Sequence, residues 1–242
     1  MPMFYFIYYG TFILLIPGLI LALVAQIMIK VNYSRYSKVE ARSGLTAERM
    51  SETFIEKYDM NGVTVRHIKG DLTDNYNPST DVLSLSDSVY GKSSVAALGV
   101  AAHECGHAMQ QHSGSILMRI RSVLVPVTRI GSRMAVPVAI LGLIIEWLSS
   151  SSSHVGGYIL AFGIALYSLS TIFAFVTLPV EFNASHRGLK MLKEQGILEN
   201  DELRKARKVL ICAALTYVAS FIVTFLYLLR FIVIISSSRK KK

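Results

Sequence analysis

Three stretches of this sequence run almost without charge for more than about 20 residues, the length a helix needs to cross a bilayer. Met3–Ile29 and Val155–Val180 carry no charged residue, and Val209–Ile235 carries only Arg230. A fourth stretch, Val123–Leu148, reaches spanning length if Arg129 and Arg133 snorkel their guanidinium groups to the headgroup level. Read by itself, its uncharged core is short enough to suit a buried helix instead. With 52% hydrophobic residues, the expectation is a mainly α, polytopic membrane protein with about four transmembrane helices. Met3–Ile29 lacks a basic leader and exceeds the apolar run of a signal peptide, so it is expected to remain as an anchor.

Charge gives the expected orientation. Of the 25 Lys and Arg residues, 13 fall between Lys30 and Arg133 and 7 between Arg187 and Lys208, while none lies in Ser149–Gly157. By the positive-inside rule, Lys30–Ser122 and Glu181–Lys208 lie in the cytoplasm and the N-terminus lies outside. The net charge of +9 then reflects topology and contact with lipid, and no nucleic-acid partner is expected. Arg239–Lys242 would lie outside against the rule, unless the last span is a re-entrant hairpin. Cys105 and Cys212 are too few for a disulfide framework and are expected to be reduced.

The soluble stretches alternate with these spans. The expected division is an anchor over 1–30, a cytoplasmic catalytic domain over 31–122 and a transmembrane hairpin over 123–180. A cytoplasmic helix over 181–208 and a last span with a basic tail over 209–242 complete it. Within the catalytic domain, Lys30–Ser43 reads as a basic linker with Tyr33 and Tyr36 at the interface. Leu45–Tyr58 reads as a helix capped by Thr46. Gly62–Lys69 alternates as a strand, and Thr73–Tyr76 with Asp81–Ser86 forms a hairpin around Asn77-Pro78-Ser79-Thr80. Ser93–His112 is a helix rich in Ala and Gly, suited to close packing.

Inside that helix lies His103-Glu104-Cys105-Gly106-His107. Residues four apart stand one turn above each other, so both imidazoles can face one ion. Two imidazoles and a carboxylate are a donor set that zinc favours, with a fourth position open to water. Glu104, about 100° around the helix, can take a proton from that water without ligating the metal. Cys105 is expected to pack on the back of the helix as a small hydrophobe. Tyr76 could donate to an oxyanion, though packing is the simpler role for it.

A third ligand is required. The extended pattern with glycine at 110 and histidine at 113 is absent, since Gln110 and Ser113 stand there. His112 points off the ligand face, and His154 and Glu146 belong to the far side of the membrane. Glu194, Glu199, Asp201 and Glu202 lie in a charged stretch expected to be solvated. Glu181 remains. Two spans separate it from His107, so it returns to the same face, where the third span ends.

The runs Leu72-Thr73-Asp74-Asn75-Tyr76, His103–His107 and Leu178–Ser185 resemble the YugP-like family of neutral zinc metallopeptidases. The resemblance covers nearly the whole chain. It implies His103, His107 and Glu181 as ligands of one Zn2+ per chain, Glu104 as general base, and a small zincin-like α+β catalytic domain. The layout is also similar to the HtpX-like membrane proteases, where an aspartate one turn after the ligand glutamate commonly holds a zinc histidine. Ser185 stands there in this chain, and Asn75 and Asn183 stand where the YugP-like pattern leads one to expect ionisable residues. Ser185, Tyr76 and Asn75 are therefore candidates for supporting the metal or the substrate.

The implied function is zinc-dependent hydrolysis of membrane or membrane-proximal polypeptides at the cytoplasmic face of the cell membrane. The expected partners are a polypeptide substrate and the lipid bilayer, with an accessory membrane protein or a second copy left open. A site-2-type intramembrane protease would need the motif inside a span and an aspartate in a later one, and Val155–Val180 and Val209–Ile235 contain none. A non-catalytic zinc scaffold or quality-control adaptor would have no use for a water-activating Glu104.

Overall fold

The structure is a computed structural model that describes residues 9–148 and 155–239. After a 3-10 turn at Thr11–Leu15 come α1 (Ile16–Tyr36), α2 (Ala47–Lys57), β1 (Thr64–Ile68), β2 (Asn75–Asn77) and β3 (Val82–Ser86). They are followed by α3 (Val95–His112), α4 (Ile116–Leu148), α5 (Val155–Glu194) and α6 (Asn200–Arg239). The chain is thus mainly helical with one small sheet. It divides into two compact units, one of Met1–Leu23, Arg121–Thr177 and Tyr217–Lys242, the other of Val24–Ile120 and Leu178–Thr216.

Among the described residues, four helices are long and apolar enough to cross a membrane: Thr11–Tyr36, Ile116–Glu146, Val155–Glu194 and Asn200–Ile234. In the first unit, Ile13, Ile130 and Phe162 are 68%, 67% and 59% exposed. An apolar surface of this extent is costly in water and neutral in hydrocarbon. α4 runs unbroken through Pro126 and Pro137 and keeps most of its apolar residues exposed, so it is not the buried core helix its short uncharged core also allowed. α4 and α5 pack through small residues. A Cβ on Gly142 would lie 2.6 Å from the Leu160 amide nitrogen, and one on Gly156 would lie 2.6 Å from the Glu146 Cα. Close backbone contact of this kind stabilises helix pairs in lipid, where no hydrophobic force joins them. The connector Ser149–Ser153 and His154 lie outside the described residues.

Helices extend further than apolar composition alone indicates. α1 continues through the expected linker as far as Tyr36. Tyr36 is buried in the second unit's core, and the Tyr33 hydroxyl donates to the Ser88 carbonyl at 2.7 Å, so neither tyrosine sits free at an interface. α5 runs on past the apolar stretch that ends at Val180, as one helix through Pro179 to Glu194. α6 runs without a break to Arg239, which removes the re-entrant hairpin as an account of the basic tail. Glu202 is also not solvated. It is 2% exposed, and its carboxylate accepts from the backbone N–H groups of Arg42 and Glu199, both at 2.9 Å. The second bond is the return half of a capping box at the start of α6.

In the second unit the sheet order is β1-β3-β2, with β1 parallel and β2 antiparallel to β3. The hairpin is as expected, while the parallel placement of β1 beyond β3 is a tertiary arrangement. Leu83 and Leu85 of β3, Met50 and Phe54 of α2, and Leu98 and Cys105 of α3 share one core with Met191 and Leu192 of α5. α3 begins at Ser94, whose side chain accepts from the Ala97 amide, a common N-cap.

α3 and α5 cross with glycine set against backbone on both sides. A Cβ on Gly106 would lie 2.9 Å from the Ala184 carbonyl carbon, with the carbonyl oxygen nearer still. A Cβ on Gly188 would lie 2.5 Å from the Ala102 carbonyl oxygen. In both cases the obstruction is backbone, which cannot swing aside as a side chain does. Gly106→Ala should therefore push the helices apart and destabilise the protein by about 1–3 kcal/mol or more. Thermal unfolding of the detergent-solubilised protein would measure this, and an unchanged midpoint would mean that the contact is not tight.

Candidate metal centre

α3 carries His103, Glu104 and His107, and α5 carries Glu181, placed opposite them by the glycine crossing just described. His103 Nε2 lies 3.2 Å and His107 Nε2 lies 3.5 Å from the same Glu181 oxygen, Oε2. The two rings stand nearly perpendicular, at 82°, with centroids 4.7 Å apart. One donor atom from each of the three residues lies within 4.8 Å of the other two. His107 is 4% and Glu181 1% exposed, so water does little to screen them.

The outer ring nitrogens are also engaged. His103 Nδ1 lies 3.0 Å from Ser185 Oγ, and His107 Nδ1 lies 3.0 Å from Gln110 Oε1. These bonds turn each Nε2 inwards. Buried electron-pair donors this close repel one another unless a proton or cation stands between them. Two imidazoles oriented through their second nitrogens, with one carboxylate, fit a zinc ion. His103, His107 and Glu181 could hold one.

Glu104 follows His103 on α3 and is 9% exposed. Among the described residues its carboxylate accepts no hydrogen bond from a protein donor, so both oxygens are available to other proton donors. Asp74 comes close enough for its charge to interact with that of Glu104. Burial raises the Asp74 pKa and the Glu104 charge adds to the rise, against the Ser86 backbone and hydroxyl groups, which donate to it at 2.7 and 2.9 Å. Of the run Leu72–Tyr76, then, Asp74 is the residue whose charge reaches Glu104.

The structure brings Ser185 to the site and turns the other two supporting candidates elsewhere. The Asn75 amide donates to the Thr73 carbonyl at 2.9 Å. The Tyr76 ring is buried and its hydroxyl donates to Asp81. The phenol is thus held within its own hairpin, and His112 Nε2 joins the same Asp81 oxygen at 3.4 Å. That contact occupies His112 away from the histidine pair. Cys105 is completely buried and burial pushes its thiol up to about 12, so it packs and is not a nucleophile.

Gln110 is the residue that sequence reasoning missed. It is 1% exposed. Its amide nitrogen donates to the Val180 carbonyl at 2.8 Å and to Asn183 Oδ1 at 3.0 Å. Its place three residues after His107 on one helix face was a usable signal; its partners on α5 were not visible before the crossing was known.

The sequence matches the family model described as "Putative neutral zinc metallopeptidase" over residues 11–236. It is also 38% identical, over 93% of its own length and 96% of the relative's, to a protein of Bacillus subtilis (strain 168) named "Putative membrane protease YugP". No solved structure matches it.

Proposed function

Since the chain belongs to the family of neutral zinc metallopeptidases, we propose that it is a membrane-bound endopeptidase. In this reading His103, His107 and Glu181 hold one zinc ion, and Glu104 is the general base. The observation that carries it is the convergence of three ligand-type atoms within 4.8 Å, beside a glutamate that no protein donor among the described residues occupies. A bound zinc ion would supply Lewis acidity, lowering the pKa of water and polarising a peptide carbonyl.

The chain's own residues supply the rest. Glu104 accepts the proton of the attacking water and passes it to the departing amine, so the carboxylate is regenerated in each cycle. Its low exposure removes competing water and strengthens its interaction with developing charge. β2 is an edge strand of the sheet and gives an extended polypeptide a backbone to pair with, the β-addition mode of recognition. Substrates are membrane or membrane-proximal polypeptides. The functional division follows the expected segments, with catalysis assigned to 31–122 and to the helix carrying Glu181. The distribution of Lys and Arg supports a cytoplasmic active site and an outside N-terminus.

Three outcomes test this reading. Purified protein should carry about one zinc per chain, and Glu104→Gln should keep that metal while losing cleavage of a casein-type substrate. Loss of metal together with activity would give Glu104 a different role. Glu181→Ala should weaken zinc binding by an order of magnitude or more and remove most activity, whereas Ser185→Ala should cost roughly ten- to a hundredfold at most. Full occupancy in Glu181→Ala would move the third ligand elsewhere. For orientation, single cysteines introduced at Ser151 and Lys38 would be labelled with an impermeant maleimide. Cys105 and Cys212 are buried and leave a low background. Ser151 should react in intact cells and Lys38 only after permeabilisation, and the reverse pattern would invert the topology.

A further inference from the structure

Hydrogen-bond geometry around Gln110 places a proton on His107 Nδ1. The Val180 carbonyl can only accept a hydrogen bond, so the group 2.8 Å from it must be the Gln110 NH2. The Asn183 oxygen confirms that assignment, because it accepts from Arg187 Nε at 2.9 Å as well as from Gln110 at 3.0 Å. With its nitrogen committed there, Gln110 can offer only Oε1 to His107 Nδ1, 3.0 Å away. That oxygen needs a proton from the ring, so Nδ1 carries one, and in the neutral ring the lone pair belongs to Nε2 on the Glu181 side. The Ser185 hydroxyl at His103 imposes nothing comparable, because it can donate or accept.

The same side chain ties the two helices of the site together. Val180 and Asn183 flank Glu181 in α5, while His107 and Gln110 share one face of α3. One buried amide therefore holds one candidate ligand directly and grips the backbone beside another. We infer that Gln110 is a positioning residue that turns His107 Nε2 towards the Glu181 carboxylate and holds it at a set distance from it. This rests on the reading of the cluster as a zinc site.

Gln110→Met keeps the side-chain volume and removes all three hydrogen bonds. In the full-length, detergent-purified protein, zinc and cobalt(II) affinities would be measured by competition with a chelating dye. The cobalt absorption band and the thermal midpoint with and without metal would be recorded beside them. The expected result is an affinity loss of about 10–100-fold, an altered cobalt band, and a smaller rise in midpoint on adding metal. A purely structural role would lower the metal-free midpoint and leave the affinity and the band alone, and that result overturns the inference. If Gln110→Met fails to fold, Asn183→Ala removes one anchor of the amide and leaves all three candidate ligands. It should then cost about two- to tenfold in affinity, and no change overturns the inference. The wild type separates the two ideas. If it takes up no metal that depends on His107, the zinc reading fails and the inference with it. If the wild type binds metal and Gln110→Met binds it equally well, the inference alone fails.

Discussion

The site depends on how closely α3 and α5 cross. With glycine at 106 and 188, each helix meets the backbone of the other instead of a side chain. This brings the Glu181 carboxylate to 3.2 and 3.5 Å from the two histidines. A methyl group at either glycine would separate the axes by a significant part of those distances, and no rotamer change could restore them. The motif's interior is therefore not free sequence. Gly106 is the condition for the third side chain to arrive, while Cys105, on the opposite face, fills the core beneath α2 and β3.

Such proximity is unfavourable without compensation, because it buries polar groups between apolar helices. The histidines' outer nitrogens are met by Ser185 and Gln110, and Gln110 is in turn met by Val180 and Asn183. The partners of both rings are neutral. A carboxylate in Ser185's place would add a second negative charge beside Glu181, raise the basicity of His103 and leave less net positive charge on a bound dication. Glu181 is the anion that meets the histidine pair among the described residues. Asp74 spends much of its hydrogen-bonding capacity on Ser86, which anchors the loop before β2 close to the start of the motif.

Much of this was legible in the sequence because it is encoded locally. Uninterrupted apolar runs mark the candidate spans, four-residue spacing aligns His103 with His107, and counting two expected spans between His107 and Glu181 singled out Glu181 as the acid to expect beside the pair. What escaped was encoded by contacts distant in sequence. A helix ends where its backbone hydrogen bonds end, not where its apolar residues do. Hydropathy therefore marks the end of an apolar run near Val180 that α5 continues past, and it cut α1 short of Tyr36. Glu202 looked solvated among Glu199, Asp201 and Lys205, but backbone N–H groups of Arg42 and Glu199 fold over it. Tyr76 and Asn75 sit in a motif-like run, yet strand alternation and the hairpin turn commit them to Asp81 and Thr73. Gln110 stood in view as the absence of a glycine, and its meaning lay in which carbonyl crossed above it.

The clamp also bears on the direction of Glu181 within the second unit. On one unbroken helix the direction of a side chain follows helical phase, about 100° per residue, so holding the chain on either side of Glu181 holds Glu181 too. Gln110 grips it in that way, at Val180 and at Asn183. Pro179, just before that grip, supplies no backbone donor to the helix, and the bond from Gln110 to the Val180 carbonyl stands immediately beyond it. The bearing of the carboxylate on the histidines is therefore set by contacts between α3 and α5 made a residue or two away from it.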